Sequence, residues 1–447
     1  MVKVVPFKAH RYNKEKVENL SNVVSPPYDV IEGEKVDKLQ NKSEYNIAWV
    51  IKNKPREDDT ESDNQYTRAR DILHKWIQND ILKEEDKESF YVYGQNFEVQ
   101  GKKMFRFGFI GLLQLEDFAT QEPEEGSFAG VLQHEETMPK DIQDRLNLSR
   151  QCMAQFGQIF VIYPDHEGNV DSVLEGAMED EPVIDVTDNE DVRHRIWKIS
   201  NKESKDVIQK HMEDKYVIIA DGHHRYKTAL ALMRENPDLE AAKFRMLTFV
   251  NIDNPGLVVL PTHRLVQNIE SFSKEKLLND LKVYFDLDIS PDREKMFELM
   301  ENRFEAGKHT FGLYMNDDNF YTLTLKDVNV MDEVLADKSE ELRKLDVSIL
   351  HALILDRMLG IGKEKLAESS ISGGGYVEYI KDIGDAVEES IEAVNNDYQA
   401  VFFMNPTKVE EVEAVSKNFE CMPSKSTFFY PKVHTGFTIN VLKQPEE

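Results

Sequence analysis

Three short stretches hold most of the residues able to do chemistry. In the first, "VIIADGHHRYKTALAL" (217 to 232), an acid, a glycine, two histidines and an arginine follow an apolar run and lead into an alanine-rich one. This pattern predicts a strand over 216 to 220 and a helix over 223 to 235, ended by Asn236-Pro237. A helix start offers unpaired N–H groups and the positive end of the dipole, which suits an anion. Gly222 lets a phosphate approach the backbone, Arg225 offers a planar fork, and a histidine adds a donor. Asp221, at the strand end, suits a metal ion or a helix cap. A second arrangement fits the same spacing: Asp221 caps the helix, one histidine packs, and Arg225 forms a surface ion pair. Successive helical residues diverge by about 100°, so His223 and His224 are not expected on one ligand. Either His223 or His224 can face a phosphate, and His223, nearer the helix start, is the one expected there.

The second stretch, "QHEETMPKDIQDR" (133 to 145), pairs His134 with Glu135. A zinc-protease helix needs a second histidine at position 138, where this chain has methionine. What is left is Glu135 as a candidate general base and Thr137 as a candidate hydroxyl ligand, against the plain alternative of a solvated acid. The third, "MPSKSTFFYPK" (422 to 432), gathers Lys425, Ser426 and Thr427, residue types that hold phosphate, without the glycines of a Walker loop. The glycines at 373 to 375 lack the G-x-G-x-x-G context and read as a loop. "SPPYDV" (25 to 30) delivers Tyr28 and Asp29 from a rigid turn, and "PTHRLV" (261 to 266) sets polar residues beside an apolar run; each reads as pocket lining or as a structural corner.

The elements that must position these residues belong to a chain of 447 residues, long enough for two or three domains. With 55 Lys+Arg against 83 Asp+Glu the net charge is -28, which argues against nonspecific nucleic-acid binding and anionic membranes and requires a local cationic site for any bound anion. Two cysteines, Cys152 and Cys421, fit a reducing cytoplasm, with a single bridge between them the alternative. The first residues lack a signal-like apolar core, and no apolar run has membrane-spanning length; the expectation is a cytoplasmic protein without a membrane partner. The periodicity predicts a helix over 64 to 82, a hairpin from "SFYVYGQNF" and "FRFGFIGLLQL", and a helix over 141 to 156 feeding the strand "GQIFVIYPD". The acidic run 175 to 191 reads as loop and edge, and 243 to 253 as a strand. Beyond 268, helices over 273 to 285, 293 to 306, 338 to 359, 383 to 394 and 407 to 419 alternate with strands over 309 to 315, 320 to 325 and "QAVFFMN".

Taken in order, SPPYDV, H-E-x-T, IADGHHRY-x-x-A, NPGLVVLPTHR and MP-x-KSTFFYPK resemble a prokaryotic domain-of-unknown-function family, number 1015, over most of the chain. More distantly, the glycine and arginine at the strand-to-helix junction are similar to the nucleotide-binding motif of the ParB and sulfiredoxin superfamily. Its free serine kinases carry a histidine-glutamate pair, D-G-H-H-R and a late P-K-T-T segment in the same order. The resemblance implies an α+β fold: a ParB/sulfiredoxin-like nucleotide-binding domain over 1–265 with an insertion around 136–215, and a C-terminal α/β unit over 266–447 whose last segment returns to the cleft. It implies a nucleotide-dependent phosphotransferase acting on a small hydroxylated metabolite, with ATP, ADP or CTP as donor and Mg²⁺ as cofactor. Glu135 is then the base, and Asp221 and His223 stand at Mg²⁺ and the moving phosphoryl group. Gly222, His224, Arg225, Thr137, Lys425, Ser426 and Thr427 hold phosphate. A non-catalytic or CTP- or ATP-gated ParB-like binding protein is the alternative. Sulfiredoxin chemistry is lost, because His223 stands where the nucleophilic cysteine is needed.

Overall fold

The computed structural model describes residues 2–121, 130–135, 139–369 and 375–444. The chain forms two compact units: Met1–Gln133, Thr137–Val258 and Pro431–Glu447 make the first, and His134–Glu136 with Val259–Tyr430 the second.

A nine-stranded mixed sheet carries the first unit. Its long hairpin, Phe90–Val99 with Lys102–Gln114, turns on Gln100 and Gly101, both at positive φ (48° and 74°), the two-residue turn whose twist matches the flanking strands. Phe244–Asn251 pairs antiparallel with the second hairpin strand and parallel with Ile159–Tyr163. Tyr216–Asp221 lies antiparallel beside Ile159–Tyr163 and parallel to Gly130–Leu132. Residues 217 to 220 are all buried, as a central strand requires, so the apolar run does not alternate. Helix His223–Glu235 follows at once, and Ala229 and Leu230 join the core formed by Phe109, Ile159, Val161 and Phe249. Helix Gln65–Gln78 opens on a capping box between Asn64 and Thr67.

The second unit has a six-stranded sheet in the order Phe285–Ser290, Phe320–Leu325, Thr310–Tyr314, Ala400–Phe403, Thr262–Val266, Val377–Lys381. Every one of these pairings is antiparallel, so this unit is α+β, not the expected α/β. The alternation of helices and strands along the chain carries no information on strand direction. Two further expectations need correction. Part of the acidic run is helical, the end of Asn169–Met178, because Val170 and Leu174 pack into the core and Val173, Ala177 and Met178 lie against it; the edge strand Ile184–Thr187 follows. The helix expected over 338 to 359 is instead Glu340–Arg343, Asp346–Ile349 and a π-helix, Leu350–Met358. Leu345 breaks the path in an extended conformation. No helix is long and apolar enough to cross a membrane among the described residues. Cys152 and Cys421 are both free thiols, and burial pushes the Cys152 thiol up to about 12.

Candidate active site residues in two clusters

In the first unit the strand register shifts between Ile219 and Asp221, a bulge-like irregularity of the kind that re-aims a side chain at a strand end. Gly222 caps the next helix at φ 101°, with no side-chain cap bond. Asp221 is therefore not a helix cap. One of its oxygens takes the Arg225 guanidinium and the other the Lys432 ammonium. Burial favours the neutral acid, but Lys432 and Arg225 outweigh it and hold the carboxyl well below the usual carboxylate range. Arg225 is itself buried, 7% exposed, and its other terminal nitrogen donates to the Gln158 carbonyl. Burial works against its charge, yet Asp221 and Asp29, the latter 4.0 Å away, raise its pKa. Both terminal nitrogens thus donate to the protein, so Arg225 is not a surface ion-pair partner, and its guanidinium is anchored at the edge of the cavity it lines. It also fills the space over Gly222, where an added Cβ would lie 2.9 Å from its Nε. His223 is buried beside the Asp221 charge and His224 is half-buried.

Magnesium needs several oxygen ligands near 2.1 Å in octahedral array. With both Asp221 oxygens held by cations, the residues here do not fit a resident Mg²⁺, and no step is derived through one.

One cavity borders this cluster through Arg225, and a second adjoins the first. The smaller, about 70 Å³, is lined by Tyr28, Arg145, Gly157, Arg225, Arg245 and Thr435 among others. Arg245 lies 6% exposed in the strand Phe244–Asn251; one nitrogen donates to the Gly157 carbonyl at 2.6 Å and its Nε has no partner among the described residues. Burial, with the nearby Arg225 charge, pulls its pKa down to about 9. A guanidinium buried without a carboxylate is costly unless an anion joins it. A larger cavity, about 650 Å³, shares Ile51, Arg145 and Leu148 with the smaller one and is also lined by Tyr66, Lys52 and Val50. Arg145 stacks over the Tyr28 ring, 4.3 Å from its centroid, which fixes its orientation at both cavities.

In the second unit the fold joins stretches about 290 residues apart. The His134 carbonyl accepts the Met422 N–H at 2.8 Å, and His134 Nε2 lies 2.9 Å from Thr427 Oγ1. Glu135 Oε1 accepts the backbone N–H of Lys425 at 3.2 Å. Lys425 is exposed and sits at φ 61°, a left-handed turn. Arg264, from the PTHR stretch, is buried and donates to the Lys425 carbonyl at 3.0 Å. Burial lowers its pKa to about 10 against the opposing pull of Tyr379 and Glu135. Ser426 differs from its neighbours: it is buried and its hydroxyl donates to the Pro423 carbonyl. Thr137 lies outside the described residues.

Residues 4–348 match the family described as "Protein of unknown function (DUF1015)". The chain belongs to this family. No curated protein matches the DUF1015 chain. Among solved structures it is similar to a conserved hypothetical protein from Pyrococcus furiosus, at 12% identity and TM-score 0.33 over 70% of this chain and 92% of that one. A free serine kinase in complex with AMP gives 13% identity and TM-score 0.34 over 70% and 90%. SbnI with a C-terminal truncation, from Staphylococcus aureus, gives 11% and 0.33 over 71% and 87%.

Lys432, Arg145, Arg245 and Arg264 do not stand out as site residues in the DUF1015 sequence. A signal existed for Arg245, an arginine inside the apolar run "KFRMLTFVNID", where a charge is buried only at a cost. Arg145 sits on an ordinary amphipathic helix and carries no comparable mark.

Proposed function

We propose that this DUF1015 chain is a nucleotide-dependent phosphotransferase that phosphorylates the hydroxyl of a small metabolite, with a ParB/sulfiredoxin-like nucleotide-binding body in its first unit. The observation that carries the reading is the arginine-lined cavity beside helix His223–Glu235, in which buried Arg245 has no carboxylate partner among the described residues. A volume of about 70 Å³ suits a phosphate or carboxylate group, since one water needs roughly 10–15 Å³ on the same kind of measure. The adjoining cavity is of small-ligand size. Asp221, Arg225 and Lys432 act as a rigid frame that fixes Gly222 and the helix start. Glu135 is the base: the donor's terminal P–O bond breaks, the acceptor oxygen forms the new one, and the hydroxyl proton passes to the Glu135 carboxylate. Lys425 and Thr427 steady charge on the moving group. The donor is ATP, ADP or CTP, and the resemblance to serine kinases makes L-serine the first acceptor to try.

The test uses the full chain with each Mg²⁺-nucleotide and a pool of hydroxylated metabolites, following phosphorylated product by mass spectrometry. Wild type is expected to turn over. Glu135→Gln is expected to bind nucleotide as wild type does and to lose about 10²–10⁴ in rate, the usual worth of a positioned base. Arg245→Met is expected to weaken nucleotide or substrate binding. Tight nucleotide binding without product from any pool would replace the kinase by a nucleotide-binding protein, and unchanged affinities in Arg245→Met would move the anion site elsewhere.

A further inference from the structure

A different part of the first unit gathers Asp188, His194 and His434. His194 lies on strand Arg193–Ile199, and Asp188 just beyond the edge strand Ile184–Thr187 that pairs with it. His434 arrives from a segment distant in sequence, anchored by the bridge between Ser25 and Thr435. Both imidazoles are buried, at 0% and 6% exposure. Asp188 Oδ2 is 3.0 Å from His194 Nε2 and 3.3 Å from His434 Nε2, and the three candidate ligand atoms all lie within 4.8 Å of one another.

We propose that Asp188, His194 and His434 form a divalent metal site of zinc type. Ligands about 2.0–2.1 Å from a tetrahedral zinc stand roughly 3.3 Å apart along the edges, close to the two nitrogen–oxygen separations seen here. Two imidazoles and a carboxylate are a zinc donor set, and three protein ligands leave one position for water. The surroundings orient the ligands as outer partners of a metal site do. Tyr93 Oη lies 2.8 Å from His194 Nδ1 and accepts the His434 backbone N–H at 3.2 Å, so one hydroxyl sets both ligands. His434 Nδ1 makes no hydrogen bond among the described residues, and its Nε2 faces Asp188. Glu190 adds negative charge beside Asp188, and Arg106 opposes it from the side of His194. The alternative is a metal-free network in which each Nε2 carries a proton and donates to Asp188.

The two are separated on the full chain after treatment with chelator and its removal. Zn²⁺ and Co²⁺ are titrated by calorimetry, metal content is measured by elemental analysis, and Co²⁺ is followed by visible absorption. The expected result is one metal per chain, tetrahedral Co²⁺ bands and a rise in melting temperature on loading. His434→Gln and Asp188→Asn are expected to weaken binding by roughly a hundredfold or more, and Tyr93→Phe by roughly tenfold. His166→Ala, at an exposed histidine paired with Asp253, should leave binding unchanged. Less than stoichiometric binding by folded wild type would overturn the proposal. So would stoichiometric binding that His434→Gln and Asp188→Asn leave intact.

Discussion

Asp221→Asn is the most exacting test of the frame around the helix start. The substitution keeps the shape of the side chain and removes the charge that Arg225 and Lys432 share. It leaves two cations facing a neutral amide, with Asp29, 4.0 Å from Arg225 and less enclosed, as the remaining counter-charge to that arginine. Removing one partner of a buried ion pair typically costs about 3–5 kcal/mol. For a unit of this size that corresponds to a fall in melting temperature of roughly 6–20 °C. Lys432→Met should cost less, about 1.5–3 kcal/mol, because it removes one charged hydrogen bond and leaves the Asp221–Arg225 pair neutral overall. The sign of the pH dependence follows from the lowered pKa of Asp221. Its contribution is complete above the unfolded value near 4 and is lost as pH falls through the folded one, so the deficit of Asp221→Asn should be full at pH 7 and shrink only below about pH 4. Urea denaturation at pH 7, followed by tryptophan fluorescence, with a thermal melt, measures both variants. A deficit for Asp221→Asn below about 1 kcal/mol, or one smaller than that of Lys432→Met, would refute the frame.

Gly222→Ala should lower stability by about 1–3 kcal/mol through its positive φ alone, with further loss from contact with the Arg225 guanidinium, read as a lower melting temperature. His351, buried in the π-helix with Nε2 unpartnered among the described residues, has its pKa driven well below 6.5 by burial and by Arg264. The unfolded chain therefore binds the extra proton, and stability is kept above pH 6.5 and lost below it. One such group accounts for about 2 kcal/mol between pH 7.5 and 5, which His351→Leu should remove from urea unfolding compared at those two values.

Much of the local structure is legible in the sequence where one signal dominates. The strand ending at Asp221 and the helix Glu235 closes are plain because an unbroken apolar run meets glycine and then a segment halted by Asn-Pro. Positions 100 and 101 separate two aromatic-rich runs, and a tight hairpin follows. Helix Asn169–Met178 is hidden because its apolar positions, Val170, Val173, Leu174, Ala177 and Met178, run straight into the acids Glu179, Asp180 and Glu181. Strand direction in the second unit has no local signature at all. At the site, the meeting of His134 with Thr427 and of Glu135 with Lys425 is foreshadowed only by motif order, since no periodicity relates residues nearly 300 apart. The commitment of Arg225 to Asp221 and Gln158 is invisible for a different reason: an arginine one turn into a helix has the same spacing whether its head reaches a ligand or the neighbouring strand.

The placement of residues 431–444 bears on how the chain acquires its structure. Lys432 closes on Asp221 across 211 positions, the Lys432 carbonyl takes the Gln95 amide across 337, and Asn440–Val441 pairs with Ala154–Gln155. Such remote pairings are slow, because a long loop must be closed before any contact rewards it. During synthesis, the strands up to Val258 emerge well before these partners exist, and Val259–Tyr430 of the second unit is translated in between. The Asp221–Lys432 ion pair and the pairing of Asn440–Val441 therefore form late, whereas Arg225 and Gln158 are present beside Asp221 from the start. At ordinary elongation rates of about 5–20 residues per second, the stretch between Val258 and Pro431 takes on the order of 10–35 s, during which the Asp221 carboxylate lacks its second cation.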